Sequence, residues 1–329
     1  MSSPATSQAL VVRLDNNGTP KLAEEQVPVP KPGSQQLLVK VSHVAQNPTD
    51  VQSFDGNVFG DGAVLGCDFV GDVEEVGLSA TRIKKGTAIA GLIWGGETKG
   101  IGGYSKYTLA DERISFPVPP GLSREAASTV PLASCTAVLS LFSQGCLAID
   151  ASAAEKPTVL IWGGSSSVGL YAVQIASLHG LQVISTCSPK HHGLVKSYGA
   201  KEVFDYRDPK VTDKVASSTI THSHGVLCTV RPGKANTQGV PKTIKVTDVL
   251  VWTAFLKDHR YGDFFWPANK ADHELAAGFF QELPELLASG KIKPNTCQLD
   301  ESGLDGVSRG FQEYREGKIS NYKVVYKLE

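Results

Sequence analysis

The chain has 329 residues, 41% of them apolar and 20% charged, with a formal net charge of −1. This length suits about two domains, and the balanced charge excludes a chain built to coat nucleic acid or an anionic membrane surface. No run approaches the ~18 apolar residues of a membrane span and MSSPATSQAL lacks the pattern of a signal peptide, so a soluble, cytoplasmic protein is expected.

Residues 1–120 read as mostly β. Gln8–Leu14 and Gln36–Val44 are predicted strands, and PVPKPG (28–33) between them reads as an extended edge followed by a turn. QNPTDVQSFDG (46–56) reads as a loop, AVLGCDFVGDVEEVG (63–77) as an apolar stretch, and Gly86–Gly103 as glycine-rich turns. Short strands with frequent Gly and Pro suggest a small barrel-like β domain.

The pattern changes after PVPPGLS (117–123). Ser123 is a predicted N-cap for a helix through Ala126, and Thr136–Phe142 is a second helical run. Alternating β and α segments follow. Val159–Trp162 is predicted as a strand, Ser167–His179 as its helix, Leu181–Cys187 as the second strand and His191–Tyr198 as the next helix. Glu202–Phe204, Asp208–Ala216 and Gly225–Thr229 continue as strand, helix and strand. Such alternation implies a parallel, doubly wound sheet. After Thr229 one β/α unit is missing: TVRPGKANTQGVPKTIKVTD (229–248) is polar and rich in turn residues, and strand-like Val249–Phe255 comes only after it. A helix at Asp272–Ser289 precedes a closing segment, GFQEYREGKISNYKVVYKL (310–328), expected to return to the first domain.

The stretch Val159–Gly180 carries the chemistry. A buried strand breaks at Gly163-Gly164, passes Ser165, Ser166 and Ser167, and enters a helix. Backbone N–H groups at a helix start, with small side chains around them, make an anion site suited to a pyrophosphate. Against G-x-G-x-x-G the turn reads Gly164-x-Ser166-x-x-Gly169, with serine at the middle position, so this motif alone leaves a plain strand–helix corner open.

Taken with PVPKPG, QNPTD (46–50), LGCDFVGDVEEVG (65–77), PLASCTA (131–137), WGGSSSVG (162–169), TCSPKHH (186–192), VFDYRD (203–208) and GKISNYKVVY (317–326), the chain resembles the medium-chain dehydrogenase/reductases. Among their branches it is most similar to the trans-acting enoyl reductases that serve fungal polyketide synthases. The resemblance implies an α/β fold with a GroES-like catalytic and substrate domain (1–122 and 290–329) and a Rossmann domain (123–289), the latter shortened by one β/α unit after Thr229.

Zinc alcohol dehydrogenases of this superfamily have a cysteine at the position matching Asn47 and a His-Glu pair after the glycine matching Gly66. This chain has Asn47 and Cys67-Asp68, and its six cysteines form no C-x-x-C pair, so no metal site is expected. The second strand ends in Ser188-Pro189-Lys190-His191-His192 with no Asp or Glu to accept from a ribose 2′-OH, which favours NADPH. The cofactor-binding residues implied are Asn47, Pro48, Thr49, Asp50, Gly164, Ser165, Ser166, Ser167, Val168, Ser188, Lys190, His191 and Tyr206, with the serine hydroxyls and amides facing phosphate.

The implied reaction is hydride transfer from NADPH to the β-carbon of an α,β-unsaturated polyketide thioester carried by an acyl carrier protein. Thr136 matches a family threonine near the nicotinamide, although a helical threonine can also bond back to its own main chain. Several relatives carry lysine where this chain has Gln52, so the proton donor is unassigned, with Tyr104, Tyr107 and bulk water as the options. Phe255 and Phe264, with Thr136, are the substrate candidates. The alternatives are a quinone-oxidoreductase-like NADPH reductase and a degenerate nucleotide-binding relative without activity. Val249–Phe255 could pair two copies edge to edge, but the charged Lys257–Arg260 after it and the relatives' habit point to a monomer.

Overall fold

The computed structural model describes residues 4–219, 225–231, 233–261 and 264–329. The N-terminal part holds β1 (Thr6–Leu14), β2 (Pro20–Pro28), β3 (Gln36–Ala45), α1 (Pro48–Asp55), β4 (Asp68–Val76), β5 (Ala88–Leu92), β6 (Tyr107–Asp111) and β7 (Ser115–Pro117). Two elements differ from the sequence reading. The strand Pro20–Pro28 pairs antiparallel with β1 in full register, from Thr6 opposite Pro28 to Leu14 opposite Pro20. Its turn uses Gly18 at φ 78°, the left-handed conformation glycine adopts without strain. The expected loop 46–56 contains α1 instead. Pro48 opens that helix, where a missing N–H costs nothing, and the Asp50 carboxylate accepts from the Asn47 N–H at 2.7 Å.

Two helices, α2 (Arg124–Ser128) and α3 (Pro131–Phe142), lead into the second part. Ser123 caps α2 as expected, accepting from the Ala126 N–H at 3.3 Å. Then come β8 (Thr158–Trp162), α4 (Ser167–Leu178), β9 (Gln182–Thr186), α5 (His192–Ser197), β10 (Glu202–Phe204), α6 (Val211–Thr219), β11 (Val226–Thr229) and β12 (Lys245–Asp248). They are followed by β13 (His259–Tyr261), β14 (Phe264–Trp266), α7 (Lys270–Ala288), β15 (Cys297–Asp300), α8 (Val307–Arg315) and β16 (Lys323–Lys327).

The last strand returns to the first part: β16 pairs antiparallel with β3 and parallel with β15, completing a seven-stranded sheet with β4, β5, β6 and β7. The parallel sheet is divided. β10, β9 and β8 form a three-stranded unit, while β11 and β12 pair with each other and not with β8.

The division matches the gap read in the sequence. Residues 230–244 contribute turns, and no helix there covers the adjoining strands among the described residues. Leu160 and Trp162 of β8 are consequently 41% and 59% exposed, and Val226, Leu227 and Val230 also face solvent. The expected strand Val249–Phe255 is corrected as well. Parallel pairing with β11 falls at Lys245–Asp248, and Val251–Ala254 form a short 3-10 turn buried against α3 and α7. The proposed dimer edge at 249–255 is therefore not an edge. A short apolar run does not tell a buried turn from a buried strand.

Candidate active site

The strand–turn–helix β8–α4 forms as its sequence predicts. Ser166 is the N-cap, its hydroxyl accepting from the Gly169 N–H at 3.1 Å. Gly164 and Gly169 are required by space. A Cβ on Gly164 would lie 2.0 Å from Ser185 Oγ, and one on Gly169 would lie 2.2 Å from the Gly163 carbonyl oxygen. Helix and strand thus pack closely at the turn, where the Gly163 and Gly164 amides donate to the Thr186 carbonyl and the Ser166 amide to the Gly163 carbonyl.

Ser165, Ser166 and Ser167 line a cavity of about 200 Å³ together with Asn47, Pro48, Asn295 and Lys323. Two of the serine oxygens already accept bonds: Ser166 from Gly169, and Ser167 from Asn295 Nδ2 at 2.6 Å. Each hydroxyl keeps its proton to donate, which suits an anionic ligand. Val168 turns away and packs on the hydrophobic core.

Across the cavity lies a buried polar cluster that the sequence did not disclose. Lys323, at the start of β16, donates through Nζ to Asn47 Oδ1 at 2.9 Å and to Asp68 Oδ2 at 2.5 Å. Asn47 Nδ2 donates to the same Asp68 oxygen at 2.9 Å, and the Leu132 N–H donates to Asp68 Oδ1 at 2.7 Å. Asp68 is completely buried and Lys323 only 4% exposed. An ammonium group therefore holds Asn47 and Asp68 together. Among the described residues no group of three or more His, Cys, Asp or Glu side chains could hold a metal ion.

Of the residues 47–50 expected at the cofactor, Asn47 and Pro48 face the cavity, Thr49 is half-buried, and Asp50 turns inward. Its Oδ2 accepts from Asn47 N–H and, at 3.4 Å, from the buried Tyr104 hydroxyl. Its Oδ1 is buried without a hydrogen-bond partner. Loss of water pushes the Asp50 carboxyl up to about 7, against the lowering effect of the Asn47 N–H, with the neighbouring Asp68 charge adding to the rise. Burial also raises the Cys67 thiol and the Tyr104 phenol, both further raised by Asp50. Gln52, where several relatives have lysine, donates to the Tyr314 hydroxyl at 3.2 Å on the surface.

Thr136 lies in α3, 4% exposed, and its hydroxyl donates to the Leu132 carbonyl at 2.7 Å, the back-bond weighed above. It does not line the cavity of the serine turn. Phe255 instead lines a separate cavity of about 330 Å³ with Leu92, Ile93, Trp94 and Lys257. Phe264 begins β14, and its side chain lies outside the described residues.

After β9, Ser188 begins a 3-10 turn, Lys190 is exposed, and Tyr206 is 45% exposed with the Arg207 guanidinium 5.4 Å above its ring. His191 Nε2 is buried without a partner, and burial, then the Lys190 charge, lowers the imidazole from its ordinary value. Asp205 is the nearby carboxylate, and it accepts from Arg207 Nε at 3.4 Å. The sequence reading omitted it because it belongs to the adjacent strand's end, brought close where the Cys187 N–H donates to the Phe204 carbonyl.

Residues 33–120 match the alcohol dehydrogenase GroES-like domain. A trans-enoyl reductase of Gibberella fujikuroi is 34% identical, the match covering 92% of this chain and 93% of that protein. One of Alternaria alternata is 31% identical, over 98% of this chain and 99% of its own. That match runs over 351 aligned positions although 98% of this chain is about 322 residues, so the relative has about 29 residues that this chain lacks. Among solved structures, a putative zinc-dependent alcohol dehydrogenase from Rhizobium etli superposes with a TM-score of 0.77 at 23% identity, covering 98% of both chains. The shared fold, the GroES-like sequence and the full-length matches place the chain in the medium-chain dehydrogenase/reductase family, in the branch that holds the fungal trans-enoyl reductases.

Proposed function

We propose that the protein is a trans-acting enoyl reductase: it transfers hydride from NADPH to an α,β-unsaturated polyketide thioester presented by an acyl carrier protein of a fungal polyketide synthase, and works as a monomer. The family uses a nicotinamide cofactor. The observation that carries the reading is the single cavity in which the serine turn of α4 faces Asn47 and Lys323 across the interdomain cleft. The reading keeps the division into 1–122 with 290–329 and 123–289, and the pairing of β16 with β3 supports the return of the C-terminal segment to the first domain.

NADPH supplies the hydride when bound. The chain's own residues provide the binding field: O–H donors of Ser165–Ser167 for the pyrophosphate, and Lys323 held against Asn47 at the cleft. Asp50 acts one step back, fixing Asn47 through its backbone N–H. Reduction of an activated C=C needs no metal to polarise the acceptor, because the thioester carbonyl already does so. The cavity wall of apolar Leu170, Ile319 and Val324 limits water around the reacting atoms.

Incubation with NADPH and crotonyl-N-acetylcysteamine should consume nicotinamide absorbance. Rapid turnover of quinones without thioester turnover would assign the quinone-reductase reading, and absence of NADPH binding would assign the non-catalytic one, for which the exposed face of β8 and β11 is the specific observation. For cofactor choice, Lys190→Glu replaces an attraction to a 2′-phosphate by repulsion. It is expected to weaken NADPH about ten-fold or more while leaving NADH within about two-fold, as read by fluorescence titration of both cofactors. Equal losses for both would remove Lys190 from the phosphate site.

A further inference from the structure

Two cysteines that the sequence reading treated as scattered meet beside the divided sheet. Cys146 lies in the turn after α3, its N–H donating to the Ser143 carbonyl at 2.9 Å, and is 5% exposed. Cys228 stands on β11, partly buried, opposite Thr247 of β12. The Cys146 thiol has two acceptors within reach, the Asp248 carbonyl of β12 at 3.7 Å and the Cys228 sulfur itself. The Thr247 and Ser140 hydroxyls also bond to the Cys228 sulfur, so β12 and the end of α3 converge on it. Side chains from three separate segments thus fix the two sulfurs against each other.

The two thiols are unequal. Donation from Cys146 lowers the Cys228 thiol below its ordinary value, against the raising effect of burial, and the same bond together with burial raises Cys146. Burial raises each of the other four, Cys67, Cys135, Cys187 and Cys297. Thiolate character and access decide which cysteine an oxidant meets first. Cys228 has both, because the missing β/α unit leaves its neighbours Val226, Leu227 and Val230 in solvent. The location also has a mechanical consequence. β11 and β12 pair with each other and not with β8, so the sheet ladder does not hold this unit to the rest of the domain. The Cys146–Cys228 contact joins it to the end of α3.

We propose that Cys146 and Cys228 are a redox modification site, a thiol pair that a hydroperoxide converts to a disulfide fastening β11–β12 to the end of α3. The Cys228 thiolate attacks one oxygen of hydrogen peroxide: an S–O bond forms, the O–O bond breaks, and the departing hydroxide takes up the thiol proton as water. The Cys146 sulfur then attacks the Cys228 sulfenic acid. An S–S bond forms, the S–O bond breaks, and a second water leaves with the Cys146 proton. The two thiols lose two electrons and two protons, and the peroxide becomes two waters. The test treats the full chain with hydrogen peroxide, blocks the remaining thiols with N-ethylmaleimide, and maps non-reduced peptides by mass spectrometry. The expected product is a Cys146–Cys228 linked peptide with the other four cysteines alkylated, and a Tm about 5 °C higher that dithiothreitol reverses. Cys146→Ser should stop at a Cys228 sulfenic acid that dimedone traps, whereas Cys228→Ser should leave Cys146 reduced. Six alkylated thiols, a different linked pair, or a wild-type Cys228 carried on to sulfinic acid without linkage would overturn the proposal. Linkage with an unchanged Tm would overturn the fastening role. The wild-type peptide map decides the site by itself where a serine variant does not fold.

Discussion

Lys323→Met is expected to destabilise the fold by about 3–5 kcal/mol, the range for removing one partner of a buried ion pair. The Asp68 carboxylate is fully buried and accepts from Lys323, Asn47 and the Leu132 N–H. Without the ammonium it keeps two neutral donors and an uncompensated charge. On the proposed function the variant should also bind NADPH about ten-fold more weakly, because Lys323 lines the cavity of the serine turn and holds the Asn47 side chain in place. Urea unfolding followed by tryptophan fluorescence gives the first number and cofactor titration the second. The double variant Asp68→Asn/Lys323→Met separates pairing from packing. It removes both charges, so its stability loss should be well below the sum of the two single losses. Additive losses would mean that the two side chains act independently and that the cluster is not a coupled electrostatic unit.

The sequence shows one side of this site and conceals the other. The serine turn was legible because it is local: a strand, two glycines, a capping serine and a helix lie within about twenty residues, and each has a backbone reason to be where it is. Lys323 lies within GKISNYKVVY with no legible role, because its partner Asn47 lies 276 residues away and meets it only when β16 pairs with β3. No spacing rule reports such a contact.

The missed helix α1 is a different kind of failure. Its start signals are present in Asn47-Pro48-Thr49-Asp50, a cap, an N1 proline and an acidic third residue, yet the polar, turn-rich segment reads as a loop. The strand expected at 249–255 failed for a third reason. Its apolar residues serve a tertiary contact, Trp252 upon Trp94, which set the local backbone more strongly than strand propensity did. The absent β/α unit, by contrast, was visible as a composition change, and its structural result is a divided sheet with Leu160 and Trp162 in solvent.

Asp50→Asn should make the protein more stable at pH 8 than the wild type, by up to about 4 kcal/mol, with little difference near pH 4. The sign follows from the direction of the shift. Burial raises the Asp50 carboxyl from 3.8 to about 7, so the folded state holds a proton that the unfolded state releases. Stability contributed by the group is fully present below about pH 4 and is lost as pH rises toward and through 7. Geometry supports a neutral carboxyl: Oδ2 accepts from Asn47 N–H and the Tyr104 hydroxyl, whereas Oδ1 is buried without a hydrogen-bond partner. A protonated Oδ1 leaves no buried lone pair of a full anion unpaired. Asparagine retains an oxygen for Asn47 and Tyr104 and puts an uncharged amide in place of Oδ1, so the capping of α1 persists. Thermal unfolding of both proteins from pH 4 to pH 9 tests this directly. A difference in Tm that grows through the interval up to about 7 is the expected result; a constant difference, or a wild type more stable at pH 8, would show that Asp50 is ionised in the folded protein and that the cluster around Asn47 is organised by its charge.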